Sequence, residues 1–161
     1  MKKYVKYNKM KKIYLAGPFF NKNERDLIEK AAEILRSQDH QVIVPMEHII
    51  EGGDKMTNEK WSRHVFQYDV ARIRECDIVI AIYHGHYSDT GTAWELGYAK
   101  ACAIPSIVVH VDVNNIASIM PVSGCSCNIK FEDLEKIDID NIVSYCCGHR
   151  TSVNAWIVEQ K

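Results

Sequence analysis

Short apolar, β-branched runs alternate with helix-length segments along this chain, and that alternation leaves few architectures open. The runs are Lys12-Ile-Tyr-Leu-Ala16, Gln41-Val-Ile-Val-Pro45, Asp77-Ile-Val-Ile-Ala-Ile-Tyr83 and Pro105-Ser-Ile-Val-Val-His110. Residues 22–38 carry Leu27, Ile28, Ala31, Ala32, Ile34 and Leu35 at helical spacing, and residues 59–75 and 90–103 read as two further helices. Strands separated by helices run parallel, with helices on both faces of the sheet, so the expected fold is a doubly wound α/β sandwich. Residues 127–131 are expected to add a fifth strand, residues 114–120 a short helix and residues 133–147 a final helix, before a tail that includes Trp156. Ligands of such sheets sit outside the carboxyl ends of the strands, near the switch in strand order. The segments 17–21, 46–58, 83–89 and 110–115 should therefore face one crevice.

At 161 residues and 47% hydrophobic content the chain suits one compact domain, 1–161. A formal net charge of −1 argues against a nucleic-acid surface as a whole. Six lysines fall in the first twelve residues, so residues 1–11 read as a solvated basic arm without the apolar core of a signal peptide. No apolar run approaches the ~20 residues that span a bilayer. A cytoplasmic protein without membrane contact is expected. The six cysteines then read mostly as free thiols, with Cys76 and Cys102 as small buried hydrophobes. Cys125-Ser-Cys127 and Cys146-Cys147-Gly-His149 lack a closed four-ligand spacing, so no metal is expected.

The chemistry concentrates in Asp89-Thr-Gly-Thr-Ala-Trp-Glu-Leu-Gly-Tyr-Ala99. Asp89 or Thr90 can cap the helix that starts there. Glu95 and Lys100 are the only charged side chains from Thr90 to Ala103, so the helix is expected to be buried nearly all round. Glu95 has Gly91, Thr92, Tyr98 and Ala99 at i±3 and i±4, and none is basic. Either an element distant in sequence supplies a partner, or the carboxylate is kept for a reaction.

Asp69 interrupts an apolar stripe made by Val65 and Ile73. It either pairs with Arg72 at i+3 or reaches the crevice as a second carboxylate. Asp89 is either a plain cap or a third. One carboxylate can attack a carbon bearing a leaving group while another, its pKa raised by its surroundings, keeps a proton for the departing group. Glycosyl transfer fits that division of labour. The first turn, Gly17-Pro-Phe-Phe20, contains neither G-x-G-x-x-G nor a Walker-type motif, so no dinucleotide or triphosphate cradle is expected. Phe19 and Phe20 either stack on a flat base or belong to the core.

Ile13-Tyr-Leu-Ala-Gly-Pro-Phe-Phe20, Asp69 within Gln-Tyr-Asp-Val, and Asp89-Thr-Gly-Thr-Ala-Trp-Glu-Leu-Gly97 together resemble the nucleoside 2-deoxyribosyltransferases over residues 12–110. The resemblance implies a flavodoxin-like three-layer sandwich with a five-stranded parallel sheet. It implies Glu95 as the nucleophile at C1′ of a 2′-deoxynucleoside, with Asp69 and Asp89 handling the base and Tyr14 orienting Glu95. Gly17, Phe19, Phe20 and Gly91 would line the substrate site, without metal or organic cofactor. Its substrates would be deoxynucleosides and free nucleobases. Homo-oligomers in which a neighbouring subunit completes each site are also implied. Where the family often has a base-reading glutamine this chain has Ile49, so Glu47 or His48 is the substitute. Ser126 and Asn128 are the nearest counterparts of the asparagine lent by a neighbour.

Two other functions share the scaffold. Sibling 2′-deoxynucleoside 5′-monophosphate N-glycosidases hydrolyse the same bond, but resemble Gly-Ser-hydrophobic-Arg in the first turn, where this chain has Gly17-Pro-Phe-Phe20. A nucleotide-sensing module would have no use for a buried nucleophile.

Overall fold

The computed structural model describes residues 9–85, 88–112 and 117–142. Five strands, β1 (Lys12–Ala16), β2 (Gln41–Ile43), β3 (Ile78–Tyr83), β4 (Ser106–His110) and β5 (Cys127–Lys130), form one parallel sheet in the order β2-β1-β3-β4-β5. Around it lie helices α1 (Lys22–Ser37), α2 (Asn58–Glu75), α3 (Thr90–Ala101) and α4 (Ile119–Gly124). This is the flavodoxin-like three-layer α/β sandwich, with strand order reversing between β1 and β3.

The two-residue period of β1 divides the protein into two cores. Ile13 and Leu15 pack with Ile28, Ala31, Ala32 and Leu35 of α1. Tyr14 and Ala16 point to the other side, where Ile73 of α2 and Leu96 and Ala99 of α3 lie. Every residue of β3 is buried, as a central parallel strand covered on both faces requires. Burial of each such aliphatic side chain contributes about 1.5–3 kcal/mol.

Local signals set where the site-bearing helices begin. Asn21 accepts from the Glu24 amide while the Glu24 carboxylate accepts from the Asn21 amide, a reciprocal capping box that starts α1 one turn beyond β1. Asp89 caps α3 by accepting from the Thr92 amide. Gly17 leaves β1 at φ 154°, and a Cβ there would lie 2.6 Å from Ile28 Cδ1 and 3.2 Å from Ile82 Cβ. Only glycine lets the turn pass between α1 and β3.

Several expectations need correction. The helix expected over 133–147 is instead two short 3-10 turns, Phe131–Lys136 and Ile139–Asn141, and residues 143–147 lie outside the described residues. Gln38 Nε2 donates to the carbonyls of Leu134 and Glu135, and the Asp138 carboxylate accepts from the Asn141 amide, so the backbone groups that would continue a helix bond elsewhere. Of the short helix expected over 114–120, residues 114–116 lie outside the described residues, and α4 begins at Ile119. α3 is not buried all round: Thr92, Leu96 and Ala99 face the core, but Trp94 is 47% exposed beside Phe66 and Tyr98. Cys76 is buried as expected, whereas Cys102 is exposed. Cys76, Cys102 and Cys125 are free thiols and Cys127 is disulfide-bonded. Most of the basic arm, and Trp156, lie outside the described residues.

Candidate active site

The site forms at the switch point, where the turns after β1 and β3 diverge to opposite faces of the sheet. Tyr14, on the α2/α3 face of β1, is completely buried, and its hydroxyl donates to Glu95 Oε1 at 2.6 Å. The missing partner of Glu95 therefore comes from the sheet beneath it rather than from its own helix. Burial, and the negative charges of Glu95 and Asp69, push the Tyr14 hydroxyl far above its ordinary range. Its proton stays on the hydroxyl, donated to Glu95.

Glu95 itself is pushed up to about 7. Burial is the main cause, the Tyr14 hydrogen bond opposes it, and the charges of Asp69 and Asp89 add to it. Asp69 is pushed up to about 6, again by burial and against the Tyr14 hydroxyl. The alternative for Asp69, an ion pair with Arg72, is not formed: Arg72 Nη2 donates to Glu75 at 2.8 Å. Asp89 does cap its helix, with one carboxylate oxygen accepting from the Thr92 amide at 3.0 Å and from the Thr92 hydroxyl at 3.3 Å. A Cβ at position 91 would stand 2.8 Å from that oxygen, so Gly91 keeps the space in which the Asp89 carboxylate sits.

These acids open into a cavity of about 720 Å³, within the usual range for small-ligand sites. Gly17, Phe19 and Phe20 line it from the first turn, His48 and Asp54 from the loop after β2, Asp69 from α2, and Asp89, Gly91 and Glu95 from α3. Phe19 and Phe20 are stacked on each other with centroids 5.8 Å apart, and Phe20 is largely exposed, so they are cavity walls rather than core.

Glu47 lies outside the cavity, and Ser126 and Asn128, expected to serve a neighbouring subunit's site, sit at another edge of the sheet. Glu47 accepts both Nη1 and Nη2 of Arg36, at 3.0 and 2.7 Å, and this two-pronged ion pair holds its carboxylate against α1, outside the cavity. Ser126 Oγ accepts from the Ser106 amide, and Asn128 bonds His110 Nε2 and donates to the Val122 carbonyl, so both serve the β4–β5 edge. Ile49, 88% exposed, also points away.

Sequence reasoning missed Arg25, Met46, Ile50, Asp54, Trp61 and Tyr68 as cavity walls. Trp61 and Tyr68 share the helical spacing of Val65 and Asp69, so extending that stripe toward the start of α2 would have found both. Arg25 and Asp54 carried no such signal. Among the described residues no group of three or more His, Cys, Asp or Glu side chains is disposed to hold a metal ion.

Two carboxyl groups raised by burial, Glu95 and Asp69, beside a cavity at the rim of a doubly wound sheet suit the class of enzymes that make or break glycosidic bonds through acidic residues. Within it, the chain belongs to the nucleoside 2-deoxyribosyltransferase family, whose sequence profile matches residues 13–151. It is similar to a 2-deoxyribosyltransferase from the psychrotolerant bacterium Bacillus psychrosaccharolyticus, with 31% identity, a TM-score of 0.72, and coverage of 81% of this chain and 95% of that one. The fold is shared with a conserved protein from Enterococcus faecalis, at 21% identity, TM-score 0.61, and coverage of 80% and 96%. It is also shared with a CMP N-glycosidase from Clostridium botulinum, at 21% identity, TM-score 0.56, and coverage of 80% and 99%. No curated protein matches the chain in sequence.

Proposed function

We propose that this protein transfers the 2-deoxyribosyl group between nucleobases through a covalent intermediate on Glu95. The observation that carries the reading is that Tyr14 holds the buried Glu95 carboxylate by a hydrogen bond while Asp69 lines the same cavity, which is large enough for a nucleoside. The Glu95 carboxylate attacks C1′ and the C1′–N bond breaks. The bonding pair goes to the base nitrogen, which takes the proton held by Asp69. A nitrogen of the second base then attacks C1′, the carboxylate departs with its electron pair, and the proton lost by that nitrogen returns to Asp69. Asp89 holds the base by hydrogen bonding, and Tyr14 fixes the orientation of Glu95. Phe19 and Phe20 provide flat apolar contact for base or sugar.

Hydrolysis of a nucleoside 5′-monophosphate is the second reading, and Arg25 favours it, because a guanidinium in the cavity wall can receive an anion. Against it, Asp54, Asp69, Asp89 and Glu95 line the same cavity, so an incoming phosphate meets mostly negative charge. A homo-oligomer is also proposed. Trp61, Phe66 and Trp94 leave an exposed apolar face on α2 and α3, beside Glu95, suited to cover by a neighbouring subunit.

The test is incubation with a deoxynucleoside and a different free base. A new nucleoside is the expected product. Sugar 5-phosphate and base released from a nucleoside 5′-monophosphate supplied in parallel, or free sugar and base from the deoxynucleoside, without exchange, would assign the protein to the hydrolases, and no reaction over a broad base panel would assign it to nucleotide sensing. Mass spectrometry should find the sugar adduct on Glu95; an adduct on another residue would reassign the nucleophile.

A further inference from the structure

Thr92 is one of four buried polar residues among those described, 1% exposed, and it lies on the inward face of α3 with Leu96 and Ala99. It is not part of the cavity wall. Its amide and its hydroxyl nevertheless both donate to the same atom of a residue that is, Oδ2 of Asp89, at 3.0 and 3.3 Å. Capping α3 needs only the amide. The hydroxyl is surplus to the cap, and its proton is committed to a carboxylate of the site.

Two donors on one oxygen decide what the other oxygen does. With an amide alone, a carboxylate can turn about its Cβ–Cγ bond and cap the helix through either oxygen. A β-branched side chain is stiff about χ1, so the Thr92 hydroxyl and amide act as one rigid pair and hold Oδ2 in place. Gly91 leaves open the space where that oxygen lies, 2.8 Å from the position a Cβ would take. Oδ1 has no hydrogen-bond partner among the described residues, so one oxygen is committed to the helix and the other is left for a ligand. We infer that Thr92 is a positioning residue for transfer, its hydroxyl locking the Asp89 carboxylate so that Oδ1 meets the departing and the incoming base in one fixed place. The inference rests on the transferase reading above. Two bases must align in turn with the same anomeric carbon, and a misplacement of about 1 Å costs about a hundredfold in rate.

The test measures transfer from a saturating deoxynucleoside donor to a varied free base. Thr92→Val keeps the amide and the branched shape but removes the hydroxyl; kcat/KM for the base should fall about tenfold, with KM rising more than kcat falls. Thr92→Ser restores the hydroxyl without the methyl and should return kcat/KM to within about threefold of the unaltered protein. Asp89→Ser supplies a background in which α3 is still capped but no second oxygen reaches the base. There, Thr92→Val should cause no further loss, because a residue that acts through Asp89 has nothing left to position. Full activity in Thr92→Val overturns the inference, as does an equal loss in Thr92→Ser, which would trace the effect to packing of the methyl group. A further tenfold loss in the Asp89→Ser background overturns it too. Absence of transfer by the unaltered protein would instead overturn the transferase reading itself, and with it this inference.

Discussion

The Tyr14 hydroxyl and the Glu95 carboxylate, 81 positions apart in sequence, meet at 2.6 Å across the boundary between sheet and helix. This bond holds the carboxylate in one orientation and favours its charged form against the burial that opposes it. Tyr14→Phe removes the donor at almost constant volume. Glu95 should then titrate at higher pH than its present value of about 7, and transfer near neutral pH should fall by about ten- to a hundredfold, with the rising limb of the pH profile moved to higher pH. A kcat/KM profile of the variant checks both; an unmoved limb would remove Tyr14 from the proposed site.

Glu95 reacts when deprotonated and Asp69 when protonated. Because Asp69 titrates below Glu95, the reactive form is a minority species, so activity should rise up to about pH 6 and fall above about pH 7, giving a bell in kcat/KM centred between those values. In Asp69→Asn the falling limb should disappear. The single limb that remains should report Glu95 alone, below its present value of about 7, because the Asp69 charge that helps raise it is gone. A pH–rate series on both proteins decides it.

Keeping a carboxylate in such surroundings costs stability. Glu95 moves from 4.5 in the unfolded chain to about 7 when folded, so the folded state holds its proton more tightly. No penalty exists below pH 4.5, it grows as pH rises through this interval, and it is complete above about 7. Glu95→Gln, which retains an oxygen for the Tyr14 hydroxyl, should therefore be more stable than the unaltered protein at pH 8, by about 2–3 kcal/mol, and nearly equal to it at pH 4. Urea denaturation at the two pH values measures the difference. Transfer should be abolished in the same variant.

Gly91→Ala places a methyl group 2.8 Å from an Asp89 carboxylate oxygen in the present geometry. The carboxylate must swing away and weaken the cap on α3, at a cost of about 1 kcal/mol, and leave its position facing the base. Transfer should fall by more than the modest drop in thermal midpoint explains. Full activity would argue that Asp89 is a cap and nothing more.

Much of this was legible in residue order because it depends on near neighbours. Alternation of strands and helices, the Asp89 cap, the all-apolar β3 and the absence of any basic residue within a helical turn of Glu95 follow from spacings of two to four residues. The expected helix over 133–147 failed for the opposite reason: Gln38, almost a hundred residues away, takes the carbonyls of Leu134 and Glu135. Glu47 and His48 show the same limit at the site. They are adjacent and both polar, and only the positions of Arg36 and Tyr68 send one to a surface ion pair and the other to the cavity.

The chain's own order of residues determined the doubly wound fold and named its three acids, because hydrophobic period and capping are properties of contiguous segments. Tertiary structure alone decided that Tyr14 would supply the partner of Glu95, that Asp69 would escape Arg72, and which loop residue would face the cavity. Hydrogen bonds and desolvation act through space, and the distances that govern them exist only once strands and helices have packed.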